Sequence, residues 1–278
     1  MKGGARLRGA FRRLHRQAMA RLSTRLGAEA LRQPAMVFAP HPDDETLGCG
    51  GTLLRKRQVG AEVRLVFLTD GAASHPHPHP RAGLAALRAR EALAAAEALG
   101  VSAEHVAWLG FPDGALAGHH AAAVSQVEAL LERHRPEQLF VPSAWGEHAD
   151  HAATCAIVYE ALRRALRRAT VLEYPVWRWR HWPTTSMTSS PRRRLAALSS
   201  GLAAGFGLRL LAEFRTSVPI RGLLGQKRAA LARHASQLQR REGEPGGEPL
   251  GEVDGGEFLD CFFQDHEVYR RVEVEPGR

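Results

Sequence analysis

Residues 38–51 read Phe-Ala-Pro-His-Pro-Asp-Asp-Glu-Thr-Leu-Gly-Cys-Gly-Gly: a histidine, two adjacent aspartates and a glutamate, after an apolar stretch and before a Gly-rich turn. Two neighbouring carboxylates repel one another and resist burial unless a positive charge lies beside them. A divalent metal is the simplest such charge, with His41 and Asp44 as a plausible pair of ligands. A second constellation follows at 146–151, Gly-Glu-His-Ala-Asp-His. His148 and His151 are three residues apart, so one helical turn brings both to one face. The mouth of a helix also favours anionic ligands.

Taken together, His41, Asp44 and His151 form a set of two histidines and one carboxylate, a common zinc arrangement with three protein ligands and an open position for water. Zinc held there lowers the pKa of its water from about 15.7 toward roughly 7. Asp43 is then left over as a general base, a role typically worth ~10²–10⁴ in rate. His148, when protonated, would stabilise an oxyanion or protonate a leaving amine. Asp150 would orient His148 and raise its pKa. Glu45 either joins this chemistry or only caps the helix that follows.

The elements that must position these residues read as an alternation. Strands are expected at Met36–Ala39, Ala61–Leu68, His105–Leu109, Gln138–Val141 and Thr170–Val176. Helices are expected at Thr52–Val59, Leu84–Leu99, Ala121–His134 and from Asp150 to Arg168. Such β-α alternation predicts a mostly parallel sheet covered by helices on both faces, with ligands beyond the carboxyl ends of the strands. Both candidate clusters fall at such an end. Beyond residue 178 the pattern weakens. Residues 178–219 read as an arginine-bearing, partly apolar insert, Gly222–Gln239 as a helix, Glu242–Glu257 as a flexible loop and Phe258–Val274 as strand-like.

The charge is unevenly spread. Residues 1–33 carry nine lysines and arginines against Glu29 alone, out of a net charge of +9 for 278 residues. Leu7, Phe11, Leu14, Ala18, Leu22 and Leu26 recur at helical spacing within this arm, predicting one basic amphipathic helix over 5–31 that Pro34 ends. Its apolar stripe packs on the domain or meets a membrane surface or a partner. Nucleic acid is not the expected partner, since no aromatic interleaving accompanies the arginines. The three cysteines, Cys49, Cys155 and Cys261, are far apart and fit a reducing compartment. With no apolar run long enough to span a bilayer and no continuous apolar signal core, the expected location is cytoplasmic, with peripheral contact at the inner face of the membrane as an extension. The organisation expected is a basic arm, 1–33, and one catalytic domain, 34–274. Oligomeric state is not readable.

The run His41-Pro-Asp-Asp-Glu45 with Gly48, Gly50 and Gly51, and the downstream His148-Ala-Asp-His151, closely resemble the PIG-L/LmbE-like family of zinc-dependent N-acetylglucosamine deacetylases. The resemblance covers residues 34–160 well and continues loosely to Lys227-x-x-Ala-x-x-x-x-His234-x-Ser-Gln237. It implies a Rossmann-like three-layer α/β sandwich with no nucleotide in the usual place. It implies zinc, or another divalent metal such as Fe2+, on His41, Asp44 and His151, with Asp43 as base, His148 assisting at the oxyanion or leaving group, and Asp150 tuning it. The implied reaction is hydrolysis of an acetamido group on a sugar, releasing acetate and a free amine. Arg88 resembles the family's substrate-hydroxyl arginine and Asp113 a sugar-contacting aspartate; the alternative for Arg88 is a helix-surface salt bridge with Glu91 or with charges in the region of Glu97.

The sequence also departs from the family. Gly146, after Trp145, stands where some members carry a tyrosine that closes over the reaction centre. The basic arm and the apolar insert lie outside the family core. His75-Pro-His-Pro-His-Pro80 reads as an extended rim loop in preference to a metal site. Two rival functions stand beside deacetylation: a related zinc amidase acting on a thiol conjugate or antibiotic precursor, and a non-catalytic α/β binding module.

Overall fold

The computed structural model describes residues 14–276 except 16, 74–80, 146–147, 182–207 and 239–248. The histidine–proline loop, the centre of the insert, the start of the arm and Gly146 therefore lie outside the described residues. Eight strands form one sheet: β1 (Thr24–Arg25), β2 (Ala35–Ala39), β3 (Val63–Thr69), β4 (Val106–Phe111), β5 (Gln138–Pro142), β6 (Ala169–Tyr174), β7 (Thr216–Pro219) and β8 (His266–Val274). Their spatial order is β1-β7-β8-β6-β5-β2-β3-β4. All neighbours pair in parallel except β8, which runs antiparallel to both β6 and β7.

Alternate residues of the buried strands point to opposite faces. In β2, Met36 and Phe38 enter a core layer with Val124, Val127 and Ile157. Ala35, Val37 and Ala39 enter the other, with Leu53, Ala92 and Ala230. The helices covering these faces are α1 (Asp44–Gln58), α2 (Arg81–Ala98), α3 (His120–His134), α4 (Ala149–Arg164) and α5 (Leu224–Leu231). The chain leaves β2 toward β3 and β4, then returns to place β5 on β2's other side. This reversal opens a crevice at the carboxyl ends of β2 and β5, the usual ligand position in an open α/β sheet.

Four expectations are corrected. Helix α1 begins at Asp44, so Gly48, Gly50 and Gly51 sit inside a helix and form no turn. A Cβ on Gly48 would lie 2.2 Å from the Tyr174 ring, and one on Gly51 2.7 Å from Ile220. Close packing on β6 and the segment after β7, not a bend, is what requires the glycines. The helix of the N-terminal arm does not run to residue 31: it ends at Leu22, and Thr24 and Arg25 pair with Thr216 and Ser217. Met19, Leu26 and Leu31 are buried in the core, so residues 17–33 are built into the sheet's edge. The helix expected over Gly222–Gln239 breaks after Leu231 and resumes at Ala235–Leu238, turning His234 inward. The strand-like stretch from Phe258 is a short helix, Glu257–Asp260, followed by β8.

A buried charged network ties α1 to the antiparallel end of the sheet. Glu267 on β8 accepts from Gly51 N at 2.8 Å, Thr52 N at 2.7 Å, Thr52 Oγ1 at 2.6 Å and Lys227 Nζ at 2.7 Å. Tyr269 adds its hydroxyl to the same carboxylate. Among the described residues no helix is long and apolar enough to cross a membrane.

Gly48→Ala separates propensity from packing. Alanine gains about 1 kcal/mol of helix propensity over glycine, but the overlap with Tyr174 forces a rearrangement costing ~1–3 kcal/mol. Net loss of stability in urea unfolding is expected; a gain would refute the close helix–sheet contact.

Candidate active site

The first motif leaves the carboxyl end of β2 and turns into α1. The second leaves β5 and turns into α4, so the crevice between the two strands brings them together. Asp44 Oδ2 lies 3.2 Å from His41 Nδ1 and 3.2 Å from His151 Nε2. The three ring centroids of His41, His148 and His151 are 4.7–5.5 Å apart. A cavity of about 270 Å³ opens onto them, lined on its polar side by His41, Asp43, Asp44, Arg88, His148 and Gln237. Leu47, Val176, Trp177, Leu250 and Val253 make its apolar wall. Trp177 is backed by Phe258, with near-parallel rings 5.2 Å apart.

Two features fit these donors to a cation. The first is geometric. His151 Nε2 is buried with no hydrogen-bond partner, although Asp44 Oδ2 stands 3.2 Å away. Ligand atoms bonded at about 2.0–2.1 Å to one tetrahedral ion stand roughly 3.3 Å apart, which matches the distances from Asp44 to each histidine. The second is charge. Asp43, Asp44, Asp113 and Asp150 are all buried around the histidines, with Arg88 the guanidinium among them. The site is therefore short of positive charge, and a divalent ion corrects this without protonating the carboxylates. His41, His148 and His151 also offer nitrogens within 4.8 Å of one another, as do His41, Asp113 and Asp150 with their donor atoms. The contacts of Asp44 to both flanking histidines favour His41, Asp44 and His151, and His41 Nε2 is occupied by carboxylates.

Electrostatics separate the groups. Burial and then the Asp44 charge push Asp43 well above the usual carboxylate range. Burial would raise Asp44 too, but His151 and His41 hold it far below that range. Burial lowers His41, yet Asp113, Asp150 and Asp44 together raise it well above an ordinary imidazole.

Two roles expected from sequence are changed by position. Asp150 does not hold His148. It lies 3.3 Å from His41 Nε2 and also accepts from Gly114 N at 2.7 Å and Leu116 N at 3.2 Å. Its place in the first turn of α4 faces the loop after β4, which delivers those amides. His148 consequently lacks that partner, and burial with the neighbouring His41 and His151 lowers its pKa instead of raising it. Asp113 is likewise turned from the cavity. Its Oδ1 is 3.2 Å from His41 Nε2 and its Oδ2 accepts from Ala73 N at 2.8 Å. Burial would raise its pKa, but His41 and Ala73 bring it down to about 2. Both carboxylates thus orient His41 so that Nδ1 faces Asp44, a common support for a ligating imidazole.

Arg88 is 1% exposed and lines the cavity, so it forms no surface ion pair with Glu91. It donates through Nη1 to Gly71 O, while its Nε–H is buried without a partner. Glu91 is instead taken by Ser236, through N at 2.9 Å and Oγ at 2.5 Å. Residues not assigned from sequence also shape the site: Trp177 on the wall, Gln237 on the polar lining, and Glu45 and His234 behind the first motif. The Lys227–Gln237 pattern was the visible signal for His234 and Gln237; nothing local marked Trp177.

The family model described as "GlcNAc-PI de-N-acetylase" (PIG-L) matches residues 36–162. A 1D-myo-inositol 2-acetamido-2-deoxy-alpha-D-glucopyranoside deacetylase of Nocardia farcinica is 30% identical over 236 residues, covering 71% of this chain and 78% of that protein. The chain belongs to the PIG-L family. Among solved structures, an N,N'-diacetylchitobiose deacetylase from Pyrococcus horikoshii superposes with a TM-score of 0.59 at 20% identity, covering 95% of this chain and 92% of that one. GalB, the 4-carboxy-2-hydroxymuconate hydratase of Pseudomonas putida KT2440, superposes at 0.56 with 16% identity, covering 88% and 98%. The PIG-L fold therefore does not by itself select amide hydrolysis, and the reaction has to be argued from the site.

Asp150→Asn keeps the shape of the side chain and weakens its hold on His41. Metal affinity measured by competition with a chelator should fall about 10–100-fold. Unchanged affinity would remove Asp150 from the support of His41.

Proposed function

We propose that this protein is a metal-dependent hydrolase that removes the N-acetyl group from an N-acetylated amino sugar, releasing acetate and a free amine. The observation that carries this reading is the division of labour between adjacent aspartates: Asp44 sits between His41 and His151, while Asp43 faces the cavity with a raised pKa. His41, Asp44 and His151 would hold the metal, most simply Zn2+, which supplies Lewis acidity toward water and the acetamide carbonyl.

Asp43 takes a proton from the attacking water as its oxygen bonds to the carbonyl carbon, and returns it to the amine nitrogen as the C–N bond breaks. His148 lines the same cavity, its ring 4.7 Å from that of His41, and donates an N–H to the carbonyl oxygen as negative charge develops there. Asp113 and Asp150 hold His41 in orientation. Arg88 lines the cavity, and its guanidinium would meet a sugar hydroxyl there. Val176, Trp177, Leu250 and Val253 shield the reacting groups from bulk water.

Asp43→Ala should retain the metal and lose ~10²–10⁴ in kcat for acetate release from N-acetylglucosaminyl substrates. Wild-type enzyme carrying its full complement of metal, yet releasing acetate from none of them, would end this reading.

A peripheral contact with anionic lipid goes with this function. Leu14 and Leu22 are 66% and 48% exposed, beside exposed Arg21, and the arm carries most of the chain's net charge. Apolar anchors and an arginine exposed on one helix together favour an anionic interface. Replacing Leu22→Ser together with Arg21→Glu should weaken co-sedimentation with phosphatidylserine vesicles by at least about fivefold. Equal binding of wild-type protein to anionic and neutral vesicles would exclude the contact.

A further inference from the structure

The segment after β7 is anchored to the first motif at three points. Lys227 Nζ donates to Leu47 O at 2.8 Å. His234 Nε2 donates to Glu45 Oε1 at 3.0 Å. Gln237 Nε2 donates to Pro42 O. Glu45 and His234 are fully buried, and neither lines the cavity. They are therefore in no position to touch a substrate.

Between these anchors Asp43 adopts φ 122° and ψ −29°, a conformation that residues bearing a Cβ rarely adopt. Such a backbone persists only where its surroundings impose it, and it is often found at functional sites. Here the imposing contact is visible: Asp43 N donates to Glu45 Oε2 at 2.9 Å. The other oxygen of Glu45 is fixed by Thr46 Oγ1 at 2.6 Å as well as by His234. Glu45 thus closes the start of α1 from within its first turn, because the amide it accepts from belongs to Asp43, the residue that caps the helix. Ser236, two residues after His234, is itself fixed to Glu91 on α2.

We propose that Glu45 and His234 are a positioning pair that holds the backbone of Asp43 in its positive-φ conformation, so that its carboxylate faces the cavity while Asp44 faces the histidines. The pair rests on the reading of Asp43 as the general base, but its structural part stands apart from any activity.

Crystal structures of His234→Ala and His234→Gln beside wild type test it directly. In His234→Ala, Asp43 should leave positive φ. In His234→Gln, whose amide N–H can replace the imidazole donor, it should stay. On the N-acetyl sugar substrate, His234→Ala should lose on the order of 10² in kcat with KM within about threefold, and His234→Gln should recover most of that loss. In an Asp43→Ala background, His234→Ala should cost less than about threefold more. An unmoved Asp43 in His234→Ala, equal loss in both variants, or full additivity with Asp43→Ala would overturn the pair. If His234→Ala does not fold, Glu45→Gln serves, since its amide would meet the His234 donor: a displaced Asp43 supports the pair and an unmoved one overturns it. A wild type inert toward acetylated sugars overturns the reaction instead, and leaves the comparison of Asp43 backbones standing.

Discussion

Four aspartates buried around two histidines at the end of a parallel sheet are the constraint on which the rest of the structure depends. Asp43, Asp44, Asp113 and Asp150 would repel one another strongly in a low-dielectric interior. Hydrogen bonds relieve part of this: Asp150 takes two backbone amides and Asp113 one, and both share His41. What remains is a deficit of positive charge concentrated on Asp44 and its two flanking imidazoles. A single divalent ion answers it, and the same ion is what the proposed chemistry needs. Stability of the site and reactivity of the site thus have one electrostatic origin.

Around this centre, the fold supplies rigidity at several levels. Gly48 and Gly51 let α1 lie directly on Tyr174 and Ile220, fixing the helix that carries Asp44. Glu267 and Lys227 form a buried pair that also binds amides of α1, with every strong donor satisfied. Removing one member of such a pair leaves an uncompensated buried charge and costs far more than the pair contributes, so β8, α1 and α5 are tied together at this point. The segment from Lys227 to Gln237 then reaches the first motif from behind. Oriented ligands and a fixed base are what allow a metal centre to act without reorganising during the reaction.

The supports of the site come from distant parts of the chain, which bears on how much of it could be read locally. The two motifs that carry His41, Asp43, Asp44, His148 and His151 were legible because metal chemistry needs particular residue types in a tight cluster. The strand–helix alternation of residues 35–174 was legible because buried parallel strands and amphipathic helices leave strong periodicities. The helix start at Asp44 was misplaced because three glycines read as a turn, and only the Tyr174 and Ile220 contacts show why the helix carries two of them, Gly48 and Gly51. Arg88 was ambiguous for a related reason: an arginine three residues before a glutamate on a helix fits a surface pair equally well until Ser236 is seen to occupy Glu91.

The sequence by itself determined the chemistry-bearing types, their placement at the ends of two strands, and membership of an α/β class. It could do so because these depend on short-range spacing and on the cost of clustering carboxylates. The tertiary structure alone decided which carboxylate serves which histidine. Asp150 and Asp113 were assigned by sequence to His148 and to a sugar, yet the loop after β4 brings Asp113 to His41 and, through the Gly114 and Leu116 amides, holds Asp150 of α4 against the same ring. Likewise, the pairing of Glu45 with His234, 189 residues away, has no local signature. Hydrogen-bond partners across a sheet edge are set by strand order and loop path, and those arise only when the whole chain has packed.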